Sequence, residues 1–92
     1  MREPALYSIW QAVKANGTAT GVFVVVSAPM LTTQPHQQPF VWCRWTDGRK
    51  DSPWPFNDQH RAPEQMALAE LSEKNQEIIA EIIDDETESR KV

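Results

Sequence analysis

The sequence predicts an α+β fold, in which a small antiparallel sheet of two to three strands packs against an N-terminal helix and a C-terminal helical region. Three observations support this prediction. The chain has 92 residues, which is the length of one domain with one core. Apolar residues make up 40% of it and include four Trp, whereas disordered chains lack such residues. Apolar residues recur at helical spacing near both ends and form a β-branched run between them.

The first predicted element is a helix over residues 3–17. Pro4 suits a first helical turn, and Asn16-Gly17 is a stop signal because glycine readily takes the left-handed cap conformation. A strand is the alternative, but it would require burial on both faces, so the helix is favoured. Four apolar side chains share one face of the predicted helix: Leu6, Ile9, Trp10 and Val13.

Three strands are expected in the middle of the chain. The clearest covers residues 21–28, whose continuous apolar run is typical of a central strand covered on both faces. The second covers residues 40–46 and ends at the turn signal Asp47-Gly48. A short third strand is expected within residues 49–54, and residues 30–39 are predicted to form an extended loop.

Pro63 is predicted to begin the C-terminal helical region, and two versions remain open. One is a single helix from Pro63 to about Asp84. The other breaks at Ser72, whose hydroxyl suits the N-cap of a helix beginning at Glu73. A helix that can kink at Ser72 is favoured. We expect residues 1–86 to form a single domain and the acidic tail 87–92 to fray. The region carries an apolar stripe at helical spacing: Ala67, Leu68, Leu71, Ile78, Ile79, Ile82 and Ile83.

The same stripe fits the spacing of a two-helix seam, with Asn75 at a position where a polar residue sets the register. The sequence therefore predicts a monomer or a weak homodimer through the C-terminal helix. Packing of the stripe on the sheet is the favoured use, because about two heptads are short for a seam.

The predicted element order resembles the double-stranded-RNA-binding domain in outline. The chain departs from that family at Pro63-Glu64-Gln65, where the family opens its last helix with lysines, so membership is not assigned. The nine residues from Leu71 to Ile79 are similar to segments of small phage-type regulators. That similarity implies an origin in a phage or another mobile element.

Charge is distributed unevenly along the chain, whose formal net charge is −4. Residues 1–61 carry six basic and four acidic side chains, whereas residues 62–92 carry three basic and nine acidic side chains. Such asymmetry steers association with partners more than it shapes a fold. The acids at the end of the last helix also oppose its dipole, so helix stability does not explain them.

The sequence offers no set of residues for catalysis, for a metal or for a cofactor. Cys43 lies in the middle of a predicted strand, where a small buried thiol is the usual outcome. His36 and His60 lack the paired spacing of zinc ligands, and the three glycines form no nucleotide-binding fingerprint. A single cysteine and the absence of a visible secretory signal favour the cytoplasm. No apolar run approaches the ~20 residues that span a membrane.

Two features indicate a binding surface: an aromatic and basic cluster within residues 40–61, and the acidic end of the last helix. Exposed Trp and Arg dominate protein–protein hot spots, although each Trp also suits the core of a small domain. The candidate partner-binding residues are Trp42, Arg44, Arg49, Lys50, Trp54, Phe56, Arg61, Glu81, Asp84 and Asp85.

These features predict a non-enzymatic, protein-binding module. In its most specific form it is a small phage or mobile-element protein that modulates or inhibits a host nucleic-acid-processing or transcription complex. The alternative is a domain that binds single-stranded nucleic acid, in which aromatic side chains stack on bases and basic side chains contact phosphates. That alternative uses Trp42, Trp54 and Phe56 together with Arg44, Arg49 and Lys50. An enzyme with a site shared between subunits is a third class, with no residue set to support it.

Overall fold

A computed structural model describes residues 4–14, 16–31, 39–56 and 63–89. Within them the chain forms five strands, one turn of 3-10 helix and one α-helix. This confirms the α+β class, with more strands and one fewer helix than predicted. The elements in chain order are β1 (Ile9–Val13), β2 (Ala19–Val25), β3 (Val41–Trp45), β4 (Ser52–Trp54), β5 (Glu64–Met66), a 3-10 turn (Leu68–Glu70) and α1 (Glu73–Ser89).

The five strands form one antiparallel sheet in the order β4-β3-β2-β1-β5, so β2 lies at its centre. The prediction of a central strand buried on both faces is confirmed. Alternate side chains of a strand point to opposite faces. Val24 accordingly contributes to the core on one face of the sheet, and Phe23 and Val25 to the core on the other.

The predicted N-terminal helix is wrong, because residues 9–13 form β1. In this strand Ile9 pairs with Val24 and Trp10 pairs with Phe23. Ile9 therefore joins one core and Trp10 packs against the other. Burial on both faces, which counted against a strand, is what this sheet provides.

A tight turn, rather than a helical one, leads into β1. The backbone amide of Ser8 donates a hydrogen bond to the carbonyl of Ala5 at 3.0 Å. Tyr7 has φ of 67°, in the left-handed region that side chains with a Cβ rarely adopt. Its amide donates to the carbonyl of Val25 at 2.8 Å, which joins the turn to the central strand. A right-handed helix cannot pass through this conformation.

The predicted helix start at Pro63 is also wrong. Residues 64–66 form β5, which pairs with β1 through Ile9 and Met66 at one end and through Gln11 and Glu64 at the other. The version with a break at Ser72 is confirmed for the helix itself, since α1 begins at Glu73. The Ser72 hydroxyl accepts a hydrogen bond from the amide of Asn75 at 3.2 Å, which is N-cap geometry.

The far end of α1 runs to Ser89, three residues into the segment expected to fray. Residues 90–92 lie outside the described part of the chain. The predicted second and third strands lie within their expected ranges as β3 and β4. Most of the predicted loop, residues 32–38, lies outside the described residues. Met30, where the predicted loop begins, forms an antiparallel bridge with Phe40, which directly follows the loop.

Two hydrophobic cores lie on the two faces of the sheet. The helix-side core lies between the sheet and α1, so the apolar stripe of the helix packs on the sheet. Leu68 is outside it and is 46% exposed. The buried members of the helix-side core are Ile9, Val22, Val24, Val26, Ile79 and Ile82, with Tyr7, Trp42, Met66, Leu71, Ile78 and Ile83 packed around them.

The aromatic-side core lies on the opposite face. Its members are Phe23, Val25, Val41, Cys43 and Phe56, with Trp10, Ala12, Trp45 and Trp54 around them.

The element order, five strands followed by α1, removes the outline resemblance to the double-stranded-RNA-binding domain. Among the described residues, no helix combines the length and apolar character needed to cross a membrane.

Candidate functional site

The predicted aromatic residues lie on opposite faces of the sheet. Trp42 packs against the helix-side core, and Trp54 belongs to the surroundings of the aromatic-side core. Phe56 is only 2% exposed and is a member of that second core. The fold therefore does not bring these three rings together as one surface. Within β3, Trp42 lies on one face of the sheet, and Val41 and Cys43 lie on the other.

On the aromatic side the rings pack mainly against one another. The Trp54 ring centroid lies 5.1 Å from that of Trp10 and 5.5 Å from that of Phe23, both in edge-to-face geometry. Such aromatic pairs stabilise a core beyond their burial of area. Beside them an apolar groove of about 370 Å³ is lined in part by Trp45, Trp54 and Pro63.

Arg49 is held by contacts within its own hairpin and with β2. Its guanidinium carbon lies 3.9 Å from the centroid of the Trp45 ring, and its Nε donates to Asp47 at 2.6 Å. Its Nη2 donates to the carbonyl of Thr20 at 2.9 Å. Gly21 leaves room for this arrangement, since a Cβ at that position would collide with the Arg49 guanidinium. The pKa of Asp47 is lowered, chiefly by the hydrogen bond from the Arg49 backbone amide.

Arg44 connects three parts of the fold. Its Nε and Nη2 donate to the two carboxylate oxygens of Asp51 at 3.2 and 3.0 Å. Its Nη1 lies 2.6 Å from Oε1 of Glu86 on α1. The hydrogen bonds that Arg44 donates to Asp51 contribute most to raising the pKa of Arg44.

Sequence reasoning included Arg44 but missed both of its partners. The hairpin register carries a signal for Asp51, since Cys43 pairs with Ser52 and the next residues outward are Arg44 and Asp51. Opposite charges facing each other across two strands attract. Glu86 has no comparable signal, because its pairing depends on how α1 lies across the sheet.

The acidic candidates Glu81, Asp84 and Asp85 all lie on the exposed side of α1. They line a shallow acidic concavity near the end of the helix, together with Thr87 and Glu88. We call one set of exposed acids the outer face of α1: Glu73, Glu77, Glu81, Asp84, Asp85 and Glu88.

The outer face is not neutralised by the rest of the described structure. None of its six carboxylates forms an ion pair with another described residue. Lys74 is the one basic residue within α1, and the last turn of the helix contains none. Glu86, the acid of α1 that is paired, is half-buried and turned towards the sheet.

The buried thiol of Cys43 is protected from ionisation. Burial raises its pKa from 9.0 to about 12, and the charge of Asp51 adds to the effect. The thiolate is the reactive form of cysteine. At neutral pH Cys43 therefore remains a neutral thiol that packs in the core.

In the described ranges no group of three or more His, Cys, Asp or Glu side chains is arranged to hold a metal ion. His36, His60 and the predicted site residue Arg61 lie outside the described residues.

Comparison of the chain with known proteins found no matching protein-family model, no matching curated protein and no matching solved structure.

Of the predicted site residues, the fold assembles Glu81, Asp84 and Asp85 on one surface. It places Arg44 and Arg49 in ion pairs and leaves Lys50 exposed in the hairpin.

Proposed function

We propose that this protein is a non-enzymatic binding module whose outer face of α1 docks on a basic surface of a partner protein. The partner surface is of the kind that otherwise holds nucleic-acid phosphates. Occupation of that surface would exclude nucleic acid, since carboxylates and phosphates compete for the same cationic side chains. The protein would then act as a modulator or inhibitor of a nucleic-acid-processing assembly.

The single observation that carries this proposal is the exposed row of six carboxylates on α1. From Glu73 to Glu88 the row extends about 22 Å at about 1.5 Å per residue. That is about one negative charge for every 4 Å, compared with about one phosphate for every 3.4 Å along one strand of B-DNA. The outer face of α1 thus presents a charge density close to that of a nucleic-acid strand.

From Glu77 onward the arrangement is unfavourable for the helix by itself, which supports a role in binding. Glu77, Glu81 and Asp85 are spaced four residues apart, and like charges at that spacing repel by about 0.2–0.5 kcal/mol per pair. Glu88 lies in the last turn, where a negative charge opposes the helix dipole. A solvated helix gains nothing from these choices, whereas a basic partner would neutralise them.

The geometry gives less support to the alternative of base stacking on aromatic residues. Trp42 and Trp54 lie on opposite faces of the sheet, and Phe56 is buried. Of the three cations expected to contact phosphates, Arg44 and Arg49 each pair with acids of the same chain, and Lys50 is exposed in the hairpin. These residues therefore do not form a continuous basic and aromatic track.

The proposal is tested by fluorescence anisotropy with a labelled nona-arginine peptide as a defined basic probe. The decisive comparison is between two double variants that remove the same negative charge. Glu81→Gln combined with Asp85→Asn neutralises the outer face. Glu64→Gln combined with Glu70→Gln neutralises two exposed acids outside α1.

We expect the outer-face variant to bind the peptide at least about tenfold more weakly than the control variant, with parent affinity falling as salt rises. Displacement of labelled duplex DNA from nona-arginine by the parent would support competition with phosphates. Equal affinity of the two double variants would refute the outer face as the docking surface. Tight binding of a single-stranded oligonucleotide by the parent would favour the alternative.

A further inference from the structure

Arg44 joins the sheet to the end of α1, beyond the last residues of the helix that pack with the helix-side core. The last α1 residues that pack with the helix-side core are Ile82 and Ile83. Residues 84–89 contain no apolar side chain. The ion pair that joins them to the sheet among the described residues is that between Arg44 and Glu86, at 2.6 Å. The last two turns are therefore held in place by a charge and not by a core.

The guanidinium is itself fixed from a second direction. Asp51 accepts two hydrogen bonds from Arg44, at 3.2 and 3.0 Å, on the hairpin that follows β3. A bidentate pair of this kind restricts the orientation of the Arg plane. With the plane set by Asp51, the remaining Nη1 is directed towards Glu86, which is 18% exposed.

We infer that Arg44 is a positioning residue for the outer face of α1. This inference rests on the proposed function. By holding Glu86 against the sheet, Arg44 turns Asp84, Asp85 and Glu88 outward and keeps the last two turns helical. Binding to a basic partner then requires less ordering of the helix end, because a preorganised surface loses less conformational entropy when it binds.

The test uses Arg44→Met, which keeps much of the apolar stem, and Glu86→Gln, which removes the partner charge. Amide hydrogen exchange of residues 84–89 reports the order of the helix end, and exchange of Ile79 and Ile82 reports the core. Affinity for the nona-arginine peptide reports binding. Lys14→Met is the matched control, since it also removes one positive charge and Lys14 is an exposed residue directly after β1.

We expect exchange of residues 84–89 to become about tenfold faster in Arg44→Met, with little change at Ile79 and Ile82. Affinity for nona-arginine is expected to fall about fivefold, although the variant is more negative than the parent. That direction is diagnostic, because added negative charge alone attracts a cationic peptide. Lys14→Met should show the opposite, a small gain in affinity. Glu86→Gln should accelerate the same amides.

Two results separate this inference from the proposed function. If Arg44→Met binds nona-arginine as tightly as Lys14→Met while the outer-face double variant has lost affinity, the outer face is correct and the positioning role is wrong. If exchange accelerates as expected but the parent does not bind nona-arginine at all, the proposed function fails. Arg44 would then anchor the helix without serving a binding surface. Unchanged exchange at residues 84–89 overturns the inference directly.

Discussion

Replacement of Glu81 by Lys is expected to stabilise the protein, although it changes only an exposed side chain. Glu81 lies near the middle of α1, and its neighbours on the outer face are Glu77, Asp84 and Asp85. They stand four residues before it and three and four residues after it, so all are close enough to interact. Lys at position 81 would convert three repulsive pairs into attractive ones.

The magnitude follows from those three pairs. Each pair of like charges at this spacing is unfavourable by about 0.2–0.5 kcal/mol, and each opposite pair is favourable by a similar amount. The change per pair is therefore about 0.4–1 kcal/mol. With screening by salt, we expect the free energy of unfolding to rise by about 1–2 kcal/mol. For a chain of this length that corresponds to a melting temperature about 5–15 °C higher.

Urea unfolding at low and high salt measures this change, with the slope of the transition checked for constancy. The control is Glu64→Lys, which alters net charge equally but lies on β5, outside α1. The gain for Glu81→Lys should exceed that of the control and shrink at 1 M salt. A gain no larger than that of Glu64→Lys would show that overall charge, and not the outer face, is the source. A loss of stability would refute the reasoning.

Four further predictions concern the fold, two of them at Cys43. Ser72→Ala removes the N-cap of α1 and should lower the free energy of unfolding by about 1 kcal/mol in urea titrations; an unchanged midpoint would contradict the capping role. Ile79→Ala, at a side chain that is 1% exposed, should cost about 2–5 kcal/mol by the same measurement, and a cost below 1 kcal/mol would show that the helix does not pack there. The Cys43 thiol should resist iodoacetamide at pH 8 in the native protein and react fully in urea, and rapid native labelling would refute its burial. Because its folded pKa of about 12 lies above the ordinary value of 9.0, stability should be unaffected by this group below pH 9 and should fall as pH rises from 9 to 12.

The sheet was predictable where one strand carried an unambiguous pattern, and unpredictable where two patterns competed. The run from Val22 to Val26 is too β-branched and too continuous for a surface helix, and its first four residues lie in the central strand. Residues 6–13 fit a helical face as well as a two-sided strand. The choice depended on whether a second core existed, and that core is built largely from residues far away in sequence, such as Val41 and Phe56.

The prediction that a helix begins at Pro63 failed for a related reason. Residues 64–66 contain Glu, Gln and Met, none of which has a strong preference for a strand. They form β5 because the free edge of β1 is available to pair with them. The N-cap at Ser72, by contrast, is a local interaction between residues three apart, and its position was readable from the sequence.

The candidate site was predictable in composition but not in arrangement. Glu81, Asp84 and Asp85 share one side of α1 simply because of helical periodicity, so their grouping followed from the sequence. The aromatic and basic residues needed the topology, since the sheet separates Trp42 from Trp54 and pairs Arg44 with acids from two other segments. A cluster that is compact in sequence is thus divided between two faces in space.

The division explains why we propose a binding role for the helix and not for the sheet. Both faces of the sheet carry hydrophobic cores, and the described arginines of the hairpin face acids of the same chain. On α1 the acid that faces inward, Glu86, is paired with a cation, and the acids that face outward form no ion pair with any other described residue. If negative charge on this helix served only solubility, the inward position would need no carboxylate. In our proposal, its pairing with Arg44 keeps the end of the helix ordered. An ordered array of carboxylates would discriminate between partners in a way that a frayed tail does not.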